Sequence, residues 1–304
     1  MFVRQGLLWL SERRGVFNFV RRNGVARKFA SRFVAGETID EGVEAARELA
    51  RRGITSSLDL LGESVTAEAE AVAARDQYLT MLDHMSAAGV EVNVSVKLTQ
   101  MGLDIAEDLC QANMVRILEK ARALGGFVRL DMEGSDYTQR TLDLVTALHS
   151  TFPNVGTVIQ SCLYRTPKDA ELLISQGIRV RLVKGAYLEP ETIAYPKKAD
   201  VDAAYLLILY ELLERGVYPA VATHDEGIIG DTIQFVQAHD IPHARFEFQM
   251  LYGIRRDLQE RLAGEGYNVR VYVPYGSQWY PYLTRRMAER PANLMFVASN
   301  AFRG

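Results

Sequence analysis

The sequence predicts an α/β fold, a closed (βα)8 barrel of the TIM type with an N-terminal helical arm. From residue 53 onward a short β-rich run is followed by a turn and then by a helical stretch. Eight such units occur without a linker or low-complexity segment, which indicates a parallel barrel. Residues 53–304 number 252, close to the ~250 residues typical of this fold. An open doubly wound sheet is the alternative, and the count of eight favours closure. We therefore expect a helical arm over 1–52 and a catalytic barrel over 53–304.

The strands and helices are predicted from hydrophobic periodicity and from the residues that end each run. The expected strands cover residues 54–60, 90–98, 127–133, 155–163, 178–184, 218–223, 245–251 and 269–273. The expected helices between them cover 68–88, 108–124, 138–152, 168–176, 201–215, 228–239 and 257–263. Glycine commonly follows the last helical residue, as Gly89 and Gly125 illustrate, and this is the usual residue at a helix C-terminus.

Alternation within the strands separates an apolar side from a polar one. In the second strand Val92, Val94 and Val96 share one side, whereas Ser95 and Lys97 share the other. The strands starting near residues 127, 245 and 269 divide in the same way. Helices cover the outside of a barrel, so the polar side must face inward, where buried charges require partners of opposite sign. Such an interior differs from the branched aliphatic core usual in this fold.

Composition is that of an ordinary globular protein, with 48% hydrophobic and 24% charged residues. A net charge of -3 gives no sign of nucleic-acid binding. The two cysteines form no disulfide framework, which fits a reducing compartment and predicts a cytoplasmic protein. Residues 1–35 carry eight basic side chains and one acid, interleaved with aromatic and aliphatic residues. Such an arm fits packing against the barrel or another subunit, or contact with an anionic membrane surface; we favour packing.

In a (βα)8 barrel the active site lies at the C-terminal ends of the strands. Those ends supply cations, amides and aromatic rings here. They comprise Lys97, Asp131, Glu133, Gln160, Lys184, Thr223, His224, Asp225, Gln249, Tyr272 and Tyr275. Motifs for a Rossmann dinucleotide site, a P-loop, a zinc protease or a nucleophile elbow are absent from the sequence, and the dispersed histidines give no metal site. This donor set without a nucleophile–base pair suits a bound organic cofactor.

A helix is expected after the last strand, and it carries two adjacent arginines, Arg285 and Arg286, with Glu289 four residues after the first. Paired guanidinium groups on a rigid helix bind a small carboxylate or phosphate well. Judged by these charges alone, the side of the helix that carries them would simply face solvent. Aromatic residues crowd the start of this helix, and it directly follows a strand, so we interpret it as a ligand clamp.

Several segments together resemble proline dehydrogenase, in its monofunctional bacterial form. They read VKLTQMG, RLDMEGSDY, RLVKGAYLE, THDE and YGSQWYPYLTRRMAERPANLMFVASN. The likeness runs from about residue 57 to the C-terminus and is most specific where RLVKGAY and YLxRRxxE occur in this order. It implies a (βα)8 barrel that binds FAD without a Rossmann motif.

Site roles follow from the resemblance, position by position. It implies that Arg285 and Arg286 bind the proline carboxylate, that Lys97 adds a third positive charge, and that Glu63 is an acidic gate pairing with Arg285. The ring walls would be Leu251, Tyr272 and Tyr282, with Asp131 tuning Lys97 and Tyr272. Arg181 would donate near the flavin N5. The remaining FAD contacts implied are Met132, Gln160, Val183, Lys184, Gly185, Ala186, Thr223 and His224.

The reaction so implied is oxidation of L-proline to pyrroline-5-carboxylate by hydride transfer to FAD. Electrons would then pass to a quinone, and the basic arm could serve peripheral contact with the inner membrane surface. A second hypothesis is a Schiff-base lyase on the same barrel, using Lys97 or Lys184 as the imine lysine. A third is a non-catalytic carboxylate-binding protein that needs no redox cofactor.

Overall fold

The computed structural model describes residues 31–280 and 282–283. Eight strands form a closed barrel in the order β1 to β8, with every neighbouring pair parallel and β1 paired to β8. The (βα)8 architecture predicted from the sequence is confirmed. Closure leaves no sheet edge, so the hydrogen-bonding groups of every strand find partners on both sides.

The strand bounds set where each functional side chain emerges. They are β1 Thr55–Leu60, β2 Asn93–Val96, β3 Phe127–Leu130, β4 Val155–Gln160, β5 Arg179–Val183, β6 Ala220–Ala222, β7 Glu247–Leu251 and β8 Val269–Tyr275. The described α-helices are α1 Ile39–Ala50, α2 Glu68–Ala87, α3 Glu107–Ala123, α4 Thr138–His149, α5 Thr166–Ser175, α6 Lys198–Arg215, α7 Glu226–Ala238 and α8 Arg256–Gly264. Two 3₁₀ turns occur at Ser135–Tyr137 and His243–Arg245.

Several strands end at residues other than the predicted ones, and β2 and β8 illustrate the reasons. β2 stops at Val96, two residues early, because Lys97 and Leu98 already accept turn hydrogen bonds from Gln100 and Met101. β8 continues through Pro274 to Tyr275, two residues beyond its predicted end. Pro274 is tolerated because it needs no donor there, while its carbonyl accepts a hydrogen bond from the Ala35 amide.

Helix α1 lies within the predicted arm and packs on the barrel. Thr38 and Glu41 form a reciprocal capping box that fixes its start. Its buried face includes Val43 and Leu49, in the same core cluster as strand residues. Gly42 lies flat against Tyr275, since an added Cβ would sit 3.0 Å from the ring. Across residues 31–280 and 282–283, no helix is both long enough and apolar enough to cross a membrane.

The core is layered as the strand alternation predicted. Valines on one side of each strand, such as Val94 and Val128, are fully buried beneath the helices. Inside the barrel, polar side chains are buried instead: Arg270 contacts Glu247 at 3.0 Å and Glu91 at 2.9 Å. The Arg179 guanidinium stacks on an aromatic ring, 4.3 Å from the Phe127 ring centroid. The interior charges are thus paired or stacked, as burial requires.

Candidate active site

Three residues predicted for the site lie together inside the barrel, near the C-terminal ends of its strands. Arg181 lies on β5, Asp131 directly follows β3, and Tyr272 lies on β8. The Arg181 Nη1 donates to Asp131 Oδ1 at 2.8 Å, and the Tyr272 hydroxyl donates to Asp131 Oδ2 at 2.9 Å. The Arg181 guanidinium also lies 5.4 Å from the centroid of the Tyr272 ring. One carboxylate therefore orients both a cation and a phenol.

Burial gives this cluster its electrostatic character. Arg181 is 5% exposed and Tyr272 is 9% exposed. Burial, reinforced by the charge of Asp131, raises the pKa of the Tyr272 hydroxyl well above its usual value. Tyr272 consequently remains a neutral hydrogen-bond donor at every physiological pH. Burial and the hydrogen bond to Asp131 hold its ring in place.

The family resemblance implies that Lys97 adds a positive charge beside the ligand carboxylate, and this role of Lys97 stays a prediction. Its Nζ lies 2.8 Å from Oδ1 of Asp59, a fully buried residue of β1. Burial alone would lower the pKa of Lys97, but the charges of Asp59 and Asp131 raise it above its ordinary value. Lys97 is therefore a protonated lysine whose charge is largely balanced by Asp59.

Asp59 is not among the predicted site residues, although its position in the sequence carries a signal. In the β1 segment, Ser57 and Asp59 occupy alternate positions, and both are fully buried. The Ser57 hydroxyl lies 3.2 Å from that of Ser95, inside the barrel. Alternation of the kind predicted for four other strands places Asp59 on the inward side of β1. Burial raises the pKa of its carboxyl, while Lys97 opposes that shift.

A second group of predicted residues lies at the end of β4 and in the loop after β3. Gln160 is 3% exposed and donates from Nε2 to the Glu133 carbonyl at 3.1 Å. Met132, which directly precedes Glu133 in the chain, is also buried. Glu133 accepts hydrogen bonds from the Thr99 amide and hydroxyl, at 3.2 and 2.7 Å. Burial nevertheless raises the pKa of Glu133. These contacts fix the loop after β3 against β2 and β4.

Lys184, directly after β5, contacts two carboxylates. Its Nζ lies 2.6 Å from Asp202 and 2.8 Å from Asp225. The exposed Lys198 forms ion pairs with the same two residues. The hydrogen bond from Lys184 lowers the pKa of Asp225 to about 2. Asp202 lies on α6, and only the tertiary structure brings it next to Lys184. It was not among the residues predicted from the sequence.

The turn at 183–186 is shaped by a close approach. Gly185 has φ of +110°, and a Cβ there would lie 2.3 Å from Cys162 Sγ, so only glycine fits. The Cys162 amide donates to the Lys184 carbonyl at 2.9 Å, which ties this turn to the end of β4. Val183 and Ala186 flank this region and are half-buried.

Thr223 and His224 follow β6, and both contact main-chain amides. The Asp225 amide donates to the Thr223 hydroxyl oxygen at 3.1 Å. The Leu251 amide, at the end of β7, donates to His224 Nε2 at 3.0 Å. Because an amide N–H can only donate, Nε2 carries no proton, and the neutral ring bears its proton on Nδ1. His224 thus links the ends of β6 and β7 and positions Leu251.

The predicted ligand clamp can be placed only in part. Tyr282 is 7% exposed, in a cluster with Val34, Leu61, Trp279, Tyr280 and Leu283. Arg285 and Arg286 lie outside the described residues, and so does the pairing of Glu63 with Arg285. Glu63 itself is half-buried in the loop after β1. The roles of the clamp and the gate therefore stay predictions.

This barrel, with charged and aromatic side chains gathered at the C-terminal ends of its strands, defines a (βα)8-barrel enzyme. The family profile for proline dehydrogenase matches residues 43–299. A proline dehydrogenase of Deinococcus radiodurans is 45% identical, covering 99% of this chain and 98% of that protein. Proline dehydrogenase 1 of Bacillus subtilis is 40% identical over 97% of both chains. The chain belongs to the proline dehydrogenase family, oxidoreductases of proline catabolism.

Solved structures support the same assignment. Proline utilization A (PutA) of Bdellovibrio bacteriovorus, inactivated by N-propargylglycine, superposes with a TM-score of 0.80 at 27% identity. The alignment covers 86% of this chain and 32% of that one, so the present chain spans about a third of that protein. Nearly full-length matches to separate proline dehydrogenases confirm the monofunctional bacterial type.

Proposed function

We propose that this protein oxidises L-proline to pyrroline-5-carboxylate, with FAD accepting the hydride and a quinone accepting the electrons. The observation that carries the proposal is the buried cluster of Arg181, Asp131 and Tyr272, in a chain of the proline dehydrogenase family. It supplies a rigid cation and a rigid aromatic wall at the C-terminal ends of the strands. Precise positioning of this kind is what a reaction without a covalent enzyme intermediate needs.

The residues present fit FAD. Arg181 has five N–H donors, and three of its nitrogen atoms donate to Asp131, Gln249 and Ser95, leaving N–H groups for a flavin acceptor. Lys184 offers a cation suited to the pyrophosphate. The Gly185 turn lacks the Cβ that would block close backbone approach. Bound FAD supplies the electrophilic N5 that receives the hydride.

Residues of the chain would bind the carboxylate of proline, enclose its ring and lower the pKa of its amine. Arg285 and Arg286 would bind its carboxylate by charge-assisted hydrogen bonds. Leu251 and Tyr272, with Tyr282, would enclose its ring. Nearby cations would lower the pKa of the bound amine, and the neutral amine is the form that expels a hydride. Because Asp59 balances the charge of Lys97, the two arginines would contribute most of this lowering of the amine pKa.

The contacts of Lys97 and Lys184 argue against the lyase alternative. A Schiff-base lysine must lose its proton before it attacks a carbonyl. The carboxylates around Lys97 raise its pKa despite burial, and Lys184 lies between two aspartates. The ammonium form of Lys97 is therefore stabilised, which opposes a nucleophilic role. Lys184 is held in ion pairs with two carboxylates, which suits an electrostatic role.

Contact with the membrane rests on the basic arm and on the need to reach a quinone. Positive charges interleaved with aromatic residues bind anionic bilayers through combined electrostatic and apolar contributions. Most of that arm lies outside the described residues, so its role is proposed from the sequence. Packing of the arm on the barrel remains the alternative, and α1 provides an example of it within residues 1–52.

Anaerobic absorption spectroscopy of the purified protein tests the proposal. We expect a yellow protein with flavin absorbance that L-proline bleaches and that D-proline leaves unchanged. N-propargylglycine, a secondary amine with a carboxylate, should inactivate the protein, and L-proline should protect. A colourless protein whose lysine is trapped by borohydride with substrate would establish the lyase instead. Proline binding without flavin would leave only the carboxylate-binding function.

A further inference from the structure

A second charged layer lies deeper in the barrel, below the cluster of Arg181, Asp131 and Tyr272. Arg270 on β8 donates from Nε to both carboxylate oxygens of Glu247 on β7, at 3.0 and 3.1 Å. Its remaining nitrogens donate to the Ser56 carbonyl at 2.8 Å and to Glu91 at 2.9 Å. Glu247 is 1% exposed. Burial would raise the pKa of Glu247, but Arg270 and its other partners lower it, so this carboxylate stays ionised.

Gln249 connects the two layers. It lies two residues after Glu247 on β7, so both side chains point into the barrel. Its Nε2 donates to Glu247 Oε1, and its Oε1 accepts from Arg181 Nε, each at 2.5 Å. An ionised carboxylate only accepts and a guanidinium only donates, so a single orientation of the amide satisfies both neighbours. Glu247 therefore determines that the amide oxygen faces Arg181.

Arg181 is consequently held on three sides. Gln249 accepts from Nε, Asp131 accepts from Nη1 at 2.8 Å, and Ser95 accepts from Nη2 at 3.1 Å. Asp131 also holds Tyr272, whereas Gln249 leads to the ion pair with Arg270. The planar guanidinium needs two non-collinear acceptors to fix its rotation, and Gln249 and Asp131 supply them from opposite edges. The amide of Gln249 is neutral, so it holds Nε without adding a negative charge to that of Asp131, which pairs with Arg181.

We propose that Gln249, oriented by Glu247, is a positioning residue that fixes the Arg181 guanidinium for the redox step. The inference rests on the proposed function, because it concerns the reaction of a flavin-bound enzyme. Gln249 touches neither proline nor FAD in this scheme. It acts by keeping the guanidinium at one place without adding a second negative charge beside it.

The first variant is Gln249→Met in the full-length holoenzyme, which preserves length and removes both hydrogen bonds. We expect FAD to stay bound and the KM for L-proline to change less than about threefold. The rate of flavin reduction at saturating proline should fall about 10- to 100-fold, the scale of a small misplacement of a reacting group. The flavin midpoint potential, measured against a reference dye, should become more negative, because a cation that stabilises reduced flavin is no longer fixed.

The second variant, Gln249→Glu, separates positioning from stability. When protonated, the new carboxyl donates to Glu247 and accepts from Arg181, as the amide does. When ionised, it repels Glu247 and partly neutralises Arg181, and that repulsion raises its pKa. The reduction rate relative to wild type should therefore rise as pH falls from 8.5 to 6, whereas for Gln249→Met the ratio should stay flat. A merely structural glutamine would give no such profile.

A matched control is Asn113→Leu, which removes a buried amide that donates to the Met101 carbonyl far along the chain from Arg181. It should lower thermal stability while leaving the reduction rate and the potential unchanged. Folded Gln249→Met with wild-type rate and potential overturns the inference. If that variant does not fold, a pH-independent ratio for Gln249→Glu overturns it instead. Wild-type protein that binds no flavin refutes the proposed function first, before any variant is compared.

Discussion

Removing Lys97 should make the stability of the protein depend on pH in a specific way. The Lys97 ammonium lies 2.8 Å from the fully buried carboxylate of Asp59. At an effective dielectric constant of about 20, unit charges at this distance attract by roughly 6 kcal/mol. Part of that attraction offsets the cost of desolvating both groups. Deleting one partner of a buried pair costs about 3–5 kcal/mol, because an uncompensated charge remains. We expect Lys97→Met to lose that much at pH 8.

The pH dependence follows from the carboxyl left behind. Burial raises the pKa of Asp59 even in the wild type, and loss of Lys97 removes the charge that opposes this shift. A carboxyl whose folded-state pKa lies above its unfolded value favours folding while protonated. That stability is lost as pH rises from about 4 toward the folded pKa, at roughly 1.4 kcal/mol per pH unit. Lys97→Met should therefore be closest to wild type at pH 5 and farthest at pH 8.

Urea unfolding followed by circular dichroism at pH 5 and pH 8 measures the effect. The double variant Lys97→Met with Asp59→Asn removes both charges and should recover most of the loss at pH 8. Lys120→Met, in a surface ion pair with Asp83, is the matched control and should cost less than about 1 kcal/mol at either pH. An equal loss at both pH values, or a double variant no more stable than the single one, would refute this reasoning.

Four further predictions test the clamp, the pocket, the arm and the charged group after β5. Arg285→Met and Arg286→Lys should raise the KM for proline while FAD stays bound, at about 2–5 kcal/mol each in kcat/KM; unchanged kinetics would remove this helix from substrate binding. Tyr282→Ser should cost proline about 1–3 kcal/mol and shift the kcat/KM ratio toward trans-4-hydroxyproline, and an unaltered ratio means that Tyr282 does not line the pocket. Deleting residues 1–35 should reduce binding to anionic vesicles and preserve turnover with a soluble acceptor; equal vesicle binding favours packing of the arm. Asp225→Asn should lose about 1–2 kcal/mol of stability above pH 4, because Lys184 lowers the pKa of Asp225 to about 2, and the difference should vanish in unfolding curves near pH 2.

The buried charges inside this barrel are connected to the candidate site. Arg270, Glu247 and Glu91 cross-link β8, β7 and the segment before β2. Replacing such groups by hydrophobic residues is often neutral for stability, so ion pairing by itself gives a weak reason to have them. Here the pairs continue through Gln249 to Arg181 at the site. The charged interior can therefore help to position Arg181, which an aliphatic barrel core could not do.

Local periodicity was sufficient to predict the barrel and the inward direction of its polar side chains. A strand buried under helices must alternate, and eight repeats of one unit leave few other ways to cover the apolar sides. The strand bounds were less accurate at Lys97 and Pro274. Their hydrogen-bond partners are turn residues in the first case, and in the second Ala35, 239 positions away in the sequence. No local pattern encodes a partner at that separation.

The sequence by itself determined the fold class, the family, and which strand ends carry Arg181, Asp131 and Tyr272. Only the tertiary structure decided which charges meet: that Asp59 balances Lys97, that Asp202 and Asp225 share Lys184, and that Gln249 reaches Arg181. The physical reason is that alternation fixes the side of a strand on which a residue lies. Barrel closure and the stagger between strands fix the position of the residue along the barrel axis. A hydrogen bond forms only when both the side and the axial position place the two atoms within a few tenths of an ångström of the required distance.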